Sequence, residues 1–199
     1  MSNRRRPRNG ASSADTTFRD AIRRALEGGH PLSLLSLASM AIHVGKPEPL
    51  ISLKSGRCDT SLLDRVLNGL SGVRNRESTA LLAVIAELLV DDPALQLRCR
   101  DELAERDEHL PRWITALSQA DVYRAVRRTH VLGDVDELVI GMRLHGGHEL
   151  TVAVQIDHNI LSSVVDAAVV PDPIDETLAR VAESISDTDV FEKIGRAHV

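Results

Sequence analysis

The spacing of hydrophobic residues changes near Asp121, and this change constrains the fold more than any other feature of the sequence. Before it, apolar residues recur every three or four positions, as at Phe18, Ile22 and Leu26. After it they alternate with polar residues, as in the segment 138–144. The first period is typical of helices buried on one face and the second of strands. The sequence therefore predicts an α+β protein, with an N-terminal bundle of about six helices, a small antiparallel β-sheet and a C-terminal helix.

The same pattern predicts where the parts of the chain begin and end. Residues 1–14 mix arginine, serine, proline and glycine without periodicity, which is typical of a disordered basic arm. We expect a helical domain over 15–120 and an antiparallel sheet with a helix over 121–192. No residue signature recurs at a constant offset, so the helices favour a bundle over a repeat solenoid.

Several helix starts carry recognisable capping residues. Asp92 precedes Pro93, which suits an aspartate cap followed by proline in the first helical turn. Pro31 and Pro111 mark two further helix starts, and Asn75 is placed to cap another. The linkers between the predicted helices are short, which predicts that neighbouring helices are antiparallel.

Composition restricts the classes of function. Aromatic residues make up 2% of the chain, too few for the stacking platform with which proteins usually bind single-stranded nucleic acid. Cys58 and Cys99 form no Cys-x-x-Cys pair, which favours the reducing cytoplasm. Cys58 follows Arg57 before a predicted helix start, where a thiolate could be stabilised, although a structural role is the more common one. No segment contains the ~20 apolar residues that span a bilayer.

The charged residues are distributed unevenly. The chain has a net charge of −5, yet its N-terminal arm is basic, with arginines at Arg4, Arg5, Arg6 and Arg8. Such an arm could contact nucleic-acid phosphates or an acidic partner, or serve only as a solubilising tail. Arginine greatly outnumbers lysine throughout the chain, a bias typical of GC-rich bacterial genomes.

The C-terminal residues 193–199 have a different interpretation. Ile194 to Val199 resemble the translation of the opening of a widely used sequencing adapter. On this interpretation the segment is an adapter-derived tail and the native C-terminus is missing. The alternative is an ordinary frayed tail.

His145 and His148 flank two glycines, and this spacing of two histidines suits a metal site. A two-residue glycine turn would place the apolar row of one strand on the polar face of the other. A three-residue loop starting at Gly146 instead pairs His145 with Glu149 and brings both apolar rows to one face. We therefore expect His148 in the loop and a surface ion pair between His145 and Glu149 rather than a metal site.

The same register places two carboxylates together at the other end of the hairpin. It puts Glu137 opposite Asp157, with His158 next in sequence. Because like charges in a cross-strand pair are unfavourable, the cluster suggests a divalent cation held by oxygen ligands, or a carboxylate and a histidine for acid–base chemistry. The alternative is a solvated strand end. Other polar residues adjoin the pair in sequence: Asp134, Asp136 and Asn159.

No standard catalytic motif occurs in the sequence: there is no Gly-x-Ser-x-Gly elbow, phosphate-binding loop, dinucleotide fingerprint or His-Glu-x-x-His zinc motif. The sequence therefore identifies no cofactor, and the cofactor stays unknown at this point. The leading hypothesis is a cytoplasmic, non-enzymatic interaction or regulatory protein with a protein partner. The alternatives are a metal-dependent or acid–base enzyme using Glu137, Asp157 and His158, and a nucleic-acid-associated protein acting through the arginine arm.

Overall fold

The computed structural model describes residues 13–45, 62–182 and 189–195. It confirms the α+β class, with helices first and an antiparallel sheet after them. The helices of the described part are α1 Ser13–Glu27, α2 Pro31–Gly45, α3 Leu62–Ser71, α4 Arg76–Leu88, α5 Pro93–Ala104, α6 Arg112–Thr115 and α7 Ile174–Ala182. The strands are β1 Asp121–His130, β2 Val135–Arg143, β3 Glu149–Asp157, β4 Ser163–Val170 and β5 Asp189–Gly195. Short 3₁₀ turns occupy Leu117–Gln119 and His158–Ile160.

Two of the predicted helix caps are confirmed. Asn75 Oδ1 accepts a hydrogen bond from Ser78 N at 2.8 Å, and Ser78 Oγ accepts one from Asn75 N at 3.3 Å, which completes a capping box at the start of α4. Asp92 Oδ1 accepts from Leu95 N at 3.0 Å, with Pro93 in the first turn of α5. These caps could be predicted from the sequence because a cap depends only on residues within one helical turn.

A buried arginine joins the helices. The Arg106 side chain is 1% exposed and forms an ion pair with Glu102 at 2.9 Å. Its guanidinium also donates to the carbonyls of Leu70 and Val73 and to the hydroxyls of Ser78 and Thr79. Arg106 thereby links the end of α3 to the start of α4.

The helices surround α4 and enclose the main hydrophobic core. Leu81, Leu82 and Ile85 of α4 are at most 1% exposed. Leu144 and Leu150, which flank the β2–β3 turn, belong to the same core. The hairpin is therefore anchored to the helices by shared apolar burial.

The sheet has the strand order β4-β3-β2-β1-β5, and every neighbouring pair is antiparallel. The first four strands form a meander, in agreement with the predicted antiparallel sheet, whereas β5 was not predicted. After α7 the chain returns to the edge opposite β4, where Thr129 of β1 pairs with Val190 of β5. β5 extends to Gly195, so the first residues of the segment 193–199 pair with β1.

The two faces of the sheet pack against different helices. Met142, Leu150 and Val152 lie on the face towards α2, α4 and α5, which we call the helix-facing side. The other face carries Val139 and Gly141 and is covered by α7. A Cβ at Gly141 would lie 2.8 Å from Ile174 Cγ2 and 2.9 Å from Tyr123 Cζ. Glycine at this position is therefore what allows α7 to pack against β2.

The β2–β3 hairpin has a register two residues away from the predicted one. Leu144 N donates to His148 O at 2.8 Å, so the loop between them is one position earlier than expected. Gly146 and Gly147 have φ angles of 100° and 85°, which favour glycine in this loop. A shift of two residues keeps every side chain on its face, so the hydrophobic pattern does not distinguish the two registers.

The shifted register overturns the predicted pairing of His145 with Glu149. Glu149 pairs with Arg143, whose Nη2 lies 2.7 Å from Glu149 Oε1. His148 was predicted inside the loop, but it lies opposite Leu144 at the end of the loop. Its ring centroid lies 6.1 Å from that of His30, in an edge-on arrangement.

Some predicted features lie outside the described residues: the arm arginines Arg4, Arg5, Arg6 and Arg8, together with Cys58. Among the described helices, none is long and apolar enough to cross a bilayer.

Candidate functional site

The structure separates the acidic pair predicted at the end of the hairpin. Glu137 lies opposite Gln155, and its Oε2 is 2.7 Å from Arg128 Nη2. Asp157 lies opposite Val135 rather than Glu137. The predicted cross-strand pair is therefore wrong, for the same two-residue shift in register.

The three candidate metal ligands have different partners. Glu137 is paired with an arginine, and Asp157 Oδ1 accepts a hydrogen bond from Asn159 N at 2.8 Å. His158 has a different carboxylate as its partner, with Nε2 at 2.9 Å from Asp136 Oδ2. Within the residues that the structure describes, no group of three histidine, cysteine or acidic side chains is placed to hold a metal ion. The hypothesis of a metal site depended on Glu137 and Asp157 facing each other, and the structure does not place them so.

A different carboxylate forms the centre of this region. Asp136 is 4% exposed, and its oxygens accept from three side chains on the helix-facing side of the sheet. Thr129 Oγ1 lies 2.7 Å from Oδ1, while Arg127 Nη2 and His158 Nε2 lie 2.6 Å and 2.9 Å from Oδ2. We call Arg127, Thr129, Asp136 and His158 the Asp136 cluster.

The cluster keeps its carboxylate ionised. Burial alone would raise the pKa of Asp136, but hydrogen bonds from Arg127, Thr129 and His158, together with the charge of Arg127, outweigh it. The net effect lowers the pKa of Asp136 to about 2. Asp136 is therefore an anion, and only an acceptor of hydrogen bonds, at neutral pH.

The imidazole of His158 connects this anion to a serine. Nε2 faces Asp136, and Nδ1 lies 3.0 Å from Ser162 Oγ. Because a carboxylate only accepts, a neutral imidazole carries its proton on Nε2 and leaves Nδ1 as an acceptor. The Ser162 hydroxyl then donates to Nδ1, giving a chain from serine through histidine to aspartate.

The serine lies in a turn with unusual backbone angles. Leu161 and Ser162 have φ of 54° and 56°, and they are the two non-glycine residues with positive φ in the described part of the chain. A left-handed conformation is costly for a leucine and a serine, and such residues concentrate at functional sites. His158 N also donates to Asp134 O at 2.8 Å, which fastens this β3–β4 turn to the β1–β2 turn.

The tips of both turns are apolar and exposed. Leu132 and Leu161 are 77% and 96% exposed, and Val131 and Ile160 are also exposed. The two turns lie at the same end of the sheet, and Ser162 follows Leu161 in the chain.

Sequence reasoning named Asp136 only as a neighbour of the predicted pair, and it missed Arg127, Thr129 and Ser162 as site residues. One signal was present: Asp136 continues the two-residue spacing of Leu138 and the apolar row that follows. A carboxylate in a row that faces inward must find hydrogen-bond partners. Ser162 carries no comparable signal, because its distance from His158 depends on the left-handed turn.

A groove at the other end of the helix-facing side is the second candidate site. Its volume is about 920 Å³, and it lies between α2, α4 and α5 on one side and the sheet on the other. Met142, Val152 and Val169 line its floor. Met40 and Val90 line its helical side with exposed apolar side chains. We call it the interlayer groove.

The interlayer groove reaches the edge strand of the sheet. Val169 belongs to β4, the outermost strand on this side, and β4 is exposed along nearly its whole length. Apart from Asp166, its residues carry no charge. An exposed, largely apolar edge strand is the usual point at which another chain adds a strand.

Comparison with protein-family models, with curated proteins and with solved structures finds no match to this chain. The geometry of these two sites is therefore the basis for a proposed function.

Proposed function

We propose that this is an interaction or regulatory protein of the cytoplasm, which binds an extended apolar segment of a partner protein in the interlayer groove beside β4. The observation that carries this proposal is the groove of about 920 Å³, whose floor and helical side are mainly apolar. Apolar surface left in water is unfavourable by about 25 cal/mol per Å². A mainly apolar groove that is open to solvent is therefore typical of a binding site.

The neighbouring edge strand supports an extended conformation for the bound segment. A peptide that pairs with β4 would satisfy its own backbone hydrogen bonds there. Since successive residues of a strand point to opposite faces, every second side chain would enter the groove on the side of Val169. The bound segment should therefore alternate apolar and polar residues.

The charges of the groove support an apolar partner rather than an ionic one. Glu87 and Arg100 both line the groove, and they lie 3.5 Å apart as an ion pair. Because these charges compensate each other, selection depends mainly on shape and apolar contact.

A selection experiment tests the proposal. A displayed library of random peptides of about 12 residues is selected on the purified full chain, and the recovered peptides are sequenced and titrated. We expect alternating apolar residues, and an affinity that falls at least tenfold in Val169→Asp. Val164→Asp is the matched control, because Val164 is an exposed valine of β4 that does not line the groove. Peptides that bind Val169→Asp as well as the native chain, or failure to recover any binder, would contradict the proposal.

Sedimentation equilibrium distinguishes a partner segment from a second copy of the chain. We expect a monomer at micromolar concentration in the absence of peptide. A dimer that Val169→Asp dissociates and Val164→Asp preserves would show that the groove is filled by another copy, and would overturn the partner proposal.

A further inference from the structure

We propose that Ser162, His158 and Asp136 form a nucleophilic relay that accepts the acyl group of a small ester with an apolar acyl chain. This activity would be separate from binding in the interlayer groove, because the Asp136 cluster lies at the opposite end of the sheet. None of the cluster residues lines that groove.

The geometry assigns a role to each group. Ser162 Oγ is 3.0 Å from Nδ1 of His158, and Nε2 of the same ring is 2.9 Å from Asp136 Oδ2. Both distances are within hydrogen-bond range, so the serine, the base and the orienting carboxylate are connected in series. Such relays are recognised by the roles of their members and not by sequence order.

Asp136 acts as a positioning residue that does not touch the substrate. Its carboxylate holds the proton of His158 on Nε2 and would stabilise the imidazolium that forms during reaction. Arg127 and Thr129 fix this carboxylate from β1, at 2.6 Å and 2.7 Å. The base is therefore oriented by side chains of β1 and β2 rather than by the turn alone.

Ser162 is placed where a substrate can reach it. It is exposed, and its left-handed backbone lies on a tight turn between two strands. Nucleophilic serines of hydrolases are often held on sharp, strained turns that present Oγ to solvent. The observed φ of 56° at Ser162 therefore favours a functional role for this residue.

The surroundings of the serine indicate the substrate class. Ile160 and Leu161, which precede Ser162 in the chain, are exposed aliphatic residues. Val131 and Leu132 of the neighbouring turn are also exposed aliphatic residues. These side chains offer contacts to an acyl chain of a few carbons. The site lies on an open surface, so the substrate is a small ester or an acyl group exposed on a larger molecule.

The proposed step is balanced as an acyl transfer. Ser162 Oγ attacks the ester carbonyl carbon and its proton passes to Nδ1 of His158. The bond to the alcohol oxygen breaks, and the alcohol leaves with that proton. Water then attacks the acyl-serine and gives a proton to His158, and the released Ser162 oxygen takes it back. The products are one alcohol and one carboxylic acid for each water consumed.

Labelling with an alkyl fluorophosphonate tests the relay. In this reaction Ser162 Oγ bonds to phosphorus, fluoride leaves, and the serine proton passes to His158. Intact mass and peptide mapping should locate one label on Ser162 of the native chain. Ser162→Ala should abolish this label, and Ser163→Ala, the matched control at the next position, should leave it unchanged.

The role of His158 has its own readout. His158→Ala should slow labelling by about 100-fold, as expected for loss of a general base, and added imidazole should restore part of the rate. Circular dichroism before labelling verifies that each variant is folded. No label on native Ser162, or labelling of His158→Ala at the native rate, would overturn the proposal. Neither Ser162 nor His158 lines the interlayer groove, so this test is separate from that of the groove.

Discussion

Thr129 donates a hydrogen bond of 2.7 Å to Asp136, the residue directly opposite it on the neighbouring strand. This pair lies on the inward face of two central strands, where a carboxylate without partners would be strongly unfavourable. Together with Arg127 and His158 it converts a buried acid into a stable anion.

The stability of the fold should depend on pH through Asp136. Because its folded pKa is lowered from 3.8 to about 2, its ionised form stabilises the native state by roughly 2 kcal/mol above pH 4. This contribution is lost as the pH falls from about 4 to about 2. Asp136→Asn removes it, so urea unfolding should show a deficit in the variant near pH 6 that shrinks towards pH 2. A deficit independent of pH would contradict the assignment.

Gly141→Ala should destabilise the protein by about 1–3 kcal/mol. The new Cβ would meet Ile174 and Tyr123 at less than 3 Å, and relieving that overlap requires α7 to move away from β2. Gly69→Ala is a suitable control, since an added Cβ in α3 meets nothing within 4 Å. It should stabilise the chain by about 0.5–1 kcal/mol through helix propensity. Thermal unfolding of both variants tests whether their changes in stability have opposite signs.

Arg106→Ala should be among the most harmful single changes in the helical part. Removing the guanidinium leaves the carbonyls of Leu70 and Val73 without this donor, at a cost of about 3 kcal/mol. Arg74→Ala provides a contrast, because its ion pair with Glu105 is exposed and should contribute less than about 1 kcal/mol. Chemical denaturation of both variants checks the prediction, and equal losses would refute it.

Cys99 should be unreactive in the folded protein. Burial raises the pKa of its thiol to about 11, against the opposing charge of Arg98, so almost no thiolate is present at pH 8. In a Cys58→Ser background, reaction with Ellman's reagent should be at least about 100-fold slower in native buffer than in urea. Rapid reaction of the folded protein would show that the side chain is accessible.

The parts of this fold that could be predicted are those encoded locally. Asn75 and Asp92 identify helix starts because each caps a backbone amide within its own first turn. The alternation in β2 and β3 likewise identifies strands. These signals do not depend on the rest of the chain.

The features that escaped prediction depend on distant partners or on turn geometry. The β2–β3 register was wrong by two residues because both registers bury the same side chains. β5 was missed because its pairing with β1 spans the whole intervening sheet and α7. Ser162 was missed because its contact with His158 requires two residues with left-handed backbone angles, which no sequence pattern predicts here.

The position of β5 also has a consequence for synthesis of the protein. On the ribosome β1 to β4 emerge before the partner of β1 does, since Thr129 pairs with Val190. A nascent chain that has folded only the meander therefore has two unpaired edges, β1 as well as β4. Unpaired edges of this kind are prone to intermolecular association. The exposure of the β1 edge ends when β5 pairs with β1, and β4 is then the exposed edge.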